Sequence, residues 1–152
     1  MTGLWSEDMI GREKRRLRGM GTTGFLLYLV PVLTGAALRG QSPWELPHFH
    51  TAIPIVLLCL LPSAYFLMPM FDGVLVLGSV RPTTPRAALF VRCVIVDGIA
   101  LLSVYLLLHS GAVVWPGVYW LAGLPAALGL LLRIRAYQTA MERIATGQTQ
   151  PK

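Results

Sequence analysis

Charged side chains are scarce in this chain. Asp, Glu, Lys and Arg make up 13% of its 152 residues, about half the share of a typical soluble domain. So few charges cannot cover the surface of a water-soluble protein of this size, whereas lipid solvates apolar side chains directly. Hydrophobic residues account for 55% and the mean hydropathy is +0.61, the composition of an integral membrane protein. Cysteine is also sparse. Cys59 and Cys93 both fall in apolar runs, which excludes a secreted disulfide framework and leaves each as a small apolar packing residue. No CxxC or Cys/His zinc spacing is present. Also missing are a phosphate-binding glycine loop, HExxH, a nucleophile elbow and the repeated aspartates of a metal-dependent phospholipid synthase. The polar loops are too short to build a soluble catalytic domain. The chain is therefore expected not to be a self-sufficient enzyme.

What is present is apolar sequence in four runs. They cover residues 19–38, 52–71, 85–108 and 112–132, each about the ~20 residues a helix needs to cross a bilayer. The expected fold is an all-α integral membrane protein with four transmembrane helices. The first run is as long as a full span and three more follow, so it does not read as a cleavable signal peptide. Residues 1–18 form a basic leader and residues 133–152 a tail.

In the leader, Leu4, Trp5, Met9 and Ile10 precede Arg12, Lys14, Arg15, Arg16 and Arg18. Ser6 suits the cap of a helix starting at Glu7. Two states remain open for this segment: an amphipathic helix on the membrane surface, or a disordered topogenic signal. In the tail, Ile134, Tyr137, Met141 and Ile144 recur at three- and four-residue spacing, one face of a helix that continues span four or turns along the surface. Gly147 suits its stop.

Charge sets the expected orientation. Of the 13 basic residues, five lie in the leader, three (Arg81, Arg86 and Arg92) around the loop between spans two and three, and four in the tail. Only Arg39 falls on the other side. That bias places both termini in the cytoplasm, in a bacterial inner membrane. The formal net charge of +6 serves the membrane surface. Nucleic acid is not an expected partner, because the cations flank apolar runs and form no basic domain. Trp44, Trp115, Tyr119 and Trp120 fall near the outer interface, where amphipathic rings sit well. Span two holds Pro54, Pro62 and Pro69 and is expected to be an irregular helix. Thr84-Pro85 is a good helix start. Residues 73–80 either extend span two or lie at the interface.

Asp97 is the most informative polar residue. It lies about 18 Å along its helix from Pro85, near mid-membrane, where an ionised carboxylate costs roughly 2.5–3.5 kcal/mol. It should face protein. Tyr28, Ser63 and Tyr65 lie at similar depth and are candidate hydrogen-bond partners. A structural or partner-subunit contact is favoured over a proton or cation site. Arg92 lies about 140° away around the same helix, so it either reaches the surface or meets another helix. Asp72, Arg81, Arg86 and Arg92 gather near the inner face with Thr83 and Thr84, a group suited to a lipid headgroup, a partner or plain topogenic charge. His48, His50 and His109 all fall on the outer side. Such a set suits a transition metal or a haem, although the ordinary reading is three interfacial residues, and no cofactor is expected. In span four, Gly123 and Ala127 have the small-xxx-small spacing that lets helices approach closely.

These features point to an accessory or structural subunit of a larger bacterial membrane complex. Its expected partners are membrane lipids and other membrane subunits, or further copies of itself. Two alternatives stand beside it: a small oligomeric proton- or cation-coupled transporter centred on Asp97, and a redox subunit using the three histidines.

Overall fold

The computed structural model describes residues 6–37, 49–71, 84–110 and 114–146, and all of these except Ser6 are helical. Helix α1 is Glu7–Ala37 and α2 is Phe49–Pro62. A π-helical turn, Ser63–Leu67, leads into the short α3, Met68–Phe71. Helix α4 is Thr84–Ser110 and α5 is Val114–Thr146. Among the described residues, three helical stretches are long and apolar enough to cross a membrane: Ala52–Met70, Thr84–His109 and Pro116–Thr146, with mean hydropathies of 2.0, 2.2 and 1.5. Their outward side chains are apolar, including Phe66, Met70, Phe90, Leu101, Leu121 and Leu132. Water would penalise that surface and lipid does not.

Helix α1 starts where its cap predicts. The Met9 amide donates to Ser6 Oγ at 3.4 Å and to the Ser6 carbonyl at 2.9 Å. Glu7 and Asp8 occupy the first turn, next to the positive end of the helix dipole. The helix then runs unbroken from the charged residues into the apolar ones, past Pro31. Residues 7–18 and 19–37 thus form one rod about 46 Å long. Helix α5 is likewise continuous through Arg133 and reaches about 50 Å. Both exceed the ~30 Å hydrocarbon thickness.

The surplus ends pair with each other. Lys14 and Glu142 form an ion pair, and Gln138 Nε2 donates to the Lys14 carbonyl at 2.9 Å. Leu17 on α1 is buried, as are Ile134, Tyr137, Met141 and Ala145 on α5. The tail's apolar face therefore packs on the leader. Deeper in the bundle, α1 runs antiparallel to α5 and parallel to α4. Glu13 meets Arg86, the Met20 carbonyl accepts from the Cys93 thiol at 3.8 Å, and Gly35 abuts Val104. Helices α1, α4 and α5 form the core, α2 lies against α4, and the π-turn touches both α4 and α5.

Small residues permit this closeness. A Cβ on Gly24 would sit 2.8 Å from Cys93 Sγ, and one on Gly123 would sit 2.6 Å from the Tyr28 hydroxyl oxygen. Lipid offers helices no hydrophobic drive to associate, so close backbone packing has to supply it. Ala127 is fully buried one turn from Gly123.

The second apolar run is irregular, as its prolines require. The Met68 amide bonds the Ser63 carbonyl, a five-residue step that widens the helix between Pro62 and Pro69. Ser63 Oγ donates to the Cys59 carbonyl at 2.8 Å, adding a side-chain bond to the distorted turn. Thr84-Pro85 opens α4, with Pro85 fully buried in its first turn. Residues 73–80, Thr83 and Gly147 lie outside the described residues.

Candidate functional site

Asp97 occupies the centre of α4, thirteen residues from Thr84 (97 − 84) and thirteen from Ser110 (110 − 97). It is half-buried. Its Oδ1 is enclosed and has no hydrogen-bond partner among the described residues.

The three hydroxyls expected near it are committed elsewhere. Tyr28 donates to the Trp120 carbonyl, Tyr65 to the Ala122 carbonyl and Ser63 to the Cys59 carbonyl. The register of α1 explains the first case. With Met20 at Cys93 and Gly35 at Val104, Asp97 is level with residues 24–28, where Tyr28 carries the one side-chain donor. Tyr28 points across the bundle to α5. Tyr65 also reaches α5 instead of α4.

Those two tyrosines serve a different purpose. Pro125 lies inside α5 and lacks the amide that would bond the Leu121 carbonyl. The tyrosines bond the carbonyls on either side of Leu121, one from α1 and one from the π-turn. They tie the proline-weakened turn to its neighbours. Trp120 stacks on Tyr28 with centroids 6.0 Å apart and planes 13° apart. Its Nε1 is enclosed without a partner among the described residues.

Of the residues grouped near the inner face, Asp72 and Arg81 lie outside the described residues. Arg86 Nη1 approaches Glu13 Oε1 at 3.5 Å, and Arg16 Nη1 lies 3.4 Å from Glu13 Oε2. Glu13 is buried, so this bridge ties the base of α1 to the start of α4. Arg92 is also buried. Its Nη1 lies 3.8 Å from the position a Cβ would take on Gly129. Of the two placements open to it, the structure gives the one against another helix, α5.

His48 lies outside the described residues, and His50 is in the first turn of α2 with its side chain outside them. His109 Nδ1 lies 3.0 Å from the Tyr105 carbonyl, and its ring stacks on Tyr105 at 4.1 Å. Among the described residues no group of three His, Cys, Asp or Glu side chains could hold a metal ion. An open groove of about 590 Å³ lies between the paired charged ends of α1 and α5. Its charged lining residues are Glu7, Lys14, Glu142 and Arg143. Two acids and two bases give it no preferred ligand charge.

Sequence reasoning missed Glu13, Gly21 and Gly24. All lie on the inward face of α1 with Leu17 and Tyr28. A face made of a carboxylate and glycines carries no hydrophobic signal, although its three- and four-residue spacing was there to find. The chain matches no family model, no curated protein and no solved structure.

Proposed function

We propose that this chain is an accessory or structural subunit of a larger bacterial membrane protein complex, with no catalysis of its own, and that Asp97 is its contact with a neighbouring subunit. The observation that carries the proposal is the half-buried carboxyl group of Asp97 at the middle of an apolar helix, whose Oδ1 has no hydrogen-bond partner among the described residues. Lipid tails cannot bond it, and a buried polar group left unbonded costs on the order of 1–3 kcal/mol. A neighbouring protein meets that need on the side of the half-buried Asp97 that this chain leaves uncovered.

The setting is a four-span bundle in the inner membrane with both termini in the cytoplasm. Residues 19–37 of α1 carry no charge and lie alongside α4, which supports counting them as the fourth span. The basic residues of α1, Arg86 on α4, and Arg133, Arg135 and Arg143 on α5 share one end of the bundle, which supports the orientation. Anionic lipid headgroups are the second partner, met there by the exposed arginines.

The same residue favours one further reading, a small oligomer that moves protons or cations past Asp97. Purification of the tagged chain from its native membranes in mild detergent separates the two. A complex of fixed composition containing other proteins supports the accessory subunit. A homo-oligomer free of other proteins contradicts it and favours transport. A Soret band in the product would contradict both and point to haem held by His48, His50 or His109.

A further inference from the structure

Glu13 on α1 is buried and draws arginines from two helices. Arg16 Nη1 lies 3.4 Å from its Oε2, and Arg86 Nη1, on α4, lies 3.5 Å from its Oε1. Two cations and one anion leave the cluster with a net positive charge. Each guanidinium carries five N–H donors, and Glu13 meets each through a single nitrogen. The side chains of Arg16 and Arg86 are 65% and 47% exposed, so donors remain open to a ligand. The apolar stretches set the depth of the pair. Residues 19–37 of α1 carry no charge, and Arg86 lies in the first turn of the span Thr84–His109. Both arginines therefore stand where lipid headgroups meet hydrocarbon. Phe90 and Val94 follow Arg86 on one face of α4 at spacings of four, and both are more than half exposed. Among the described residues, this apolar strip alone is headed by arginines clasped to a buried acid.

We infer that this clasp binds one anionic phospholipid, its phosphate between Arg16 and Arg86 and an acyl chain running down α4 over Phe90 and Val94. The inference rests on the lipid contact proposed above and gives it one place on the bundle. A phosphodiester presents oxygens to both guanidiniums, whose planar forks match phosphate geometry. Its single negative charge balances the charge of the cluster. Glu13 is the positioning residue. It holds two long side chains side by side, so a headgroup need not supply the cost of ordering them. Basic pockets between membrane helices recognise anionic headgroups in this way. A zwitterionic lipid would bring a further cation to an already positive cluster. A free phosphate ion would use the arginines and leave the apolar strip uncovered.

Thermal melts of the full chain in mild detergent test this, with phosphatidylglycerol, phosphatidylcholine or inorganic phosphate added in turn. A ligand of the folded state raises the midpoint by mass action. Phosphatidylglycerol should raise it to a plateau, and the other two should raise it little. Arg16→Ala and Arg86→Gln should each increase the phosphatidylglycerol concentration needed for half the effect about fivefold, the weight of one arginine at an anionic surface. Arg15→Ala removes the same charge from an exposed neighbour about 100° further round α1 and should change that concentration less than about twofold. Circular dichroism checks that each variant is helical. If Arg86→Gln does not fold, the comparison of Arg16→Ala with Arg15→Ala still decides, because Arg16 is the more exposed arginine and leaves Arg86 on Glu13. Equal stabilisation by phosphatidylcholine or by inorganic phosphate overturns the site. If phosphatidylglycerol stabilises the wild type and the alanine variants at residues 15 and 16 weaken it equally, the lipid contact is diffuse, and the general reading outlives the site. If phosphatidylglycerol leaves the wild type unchanged, both fall.

Discussion

The hydroxyl of Tyr28 on α1 donates to the backbone carbonyl of Trp120 on α5, and the two rings stack above that bond. This single contact ties the first long helix to the last and spends the donor that lay closest in depth to Asp97. Tyr28 is fully buried, so the contact is shielded from lipid and water alike. Tyr28→Phe keeps the stack and removes the bond. It should lower stability by about 0.5–1.5 kcal/mol, read as a modest fall in thermal midpoint in detergent. Tyr28→Ala should cost about 3–5 kcal/mol through the cavity it leaves. A phenylalanine variant as stable as the wild type would show that Trp120 has no need of the hydroxyl.

Two glycines of α1 make opposite predictions under one substitution. A Cβ at Gly24 would stand 2.8 Å from Cys93 Sγ and 3.3 Å from Leu130 Cδ1, whereas one at Gly11 meets nothing within 4 Å. Gly11→Ala should stabilise by up to about 1 kcal/mol through helix propensity. Gly24→Ala should destabilise by about 1–3 kcal/mol as α1 and α4 are forced apart. Thermal melts of the two variants in one detergent check the pair of signs.

The charged end contains a buried acid and a surface ion pair, which should differ in weight. Lys14 and Glu142 are each more than a third exposed, so Lys14→Ala should cost less than about 1 kcal/mol and lose its effect in high salt. Glu13 is buried between Arg16 and Arg86. Glu13→Ala should cost more than Lys14→Ala and remain costly in high salt. Melting both variants at low and high ionic strength compares them directly.

Much of this was legible in the residues. Ser6 caps α1 because a short hydroxyl precedes Glu7 and Asp8, and the second apolar run is distorted between Pro62 and Pro69. The π-helical form was not legible, because it depends on which carbonyls find new donors. The face of Ile134, Tyr137 and Met141 announced that something covers the tail. Its cover, the leader, was hidden because Arg12 to Arg18 dominate that segment and its inward residues include Glu13. Depth along each helix could be counted, so Tyr28, Ser63 and Tyr65 were reasonable partners for Asp97. Rotation about each helix axis could not be counted, and rotation turns all three away.

Orientation is open to direct assay. Reporter fusions at Trp44 and Ser110 should read external, and fusions at Thr83 and Lys152 internal. A cytoplasmic signal at Trp44 would reverse the arrangement and put the basic end of the bundle outside.

The most direct test of the central claim is the native mass of the assembly extracted from its own membrane, compared for wild type, Asp97→Asn and Asp97→Leu. If another chain satisfies Asp97, the wild type and the asparagine variant should share one mass well above that of a single chain. The leucine variant should remain folded and fall to a smaller species. A leucine variant with the wild-type mass, or a wild type that is monomeric in the membrane extract, would contradict the account and leave Asp97 without a protein neighbour.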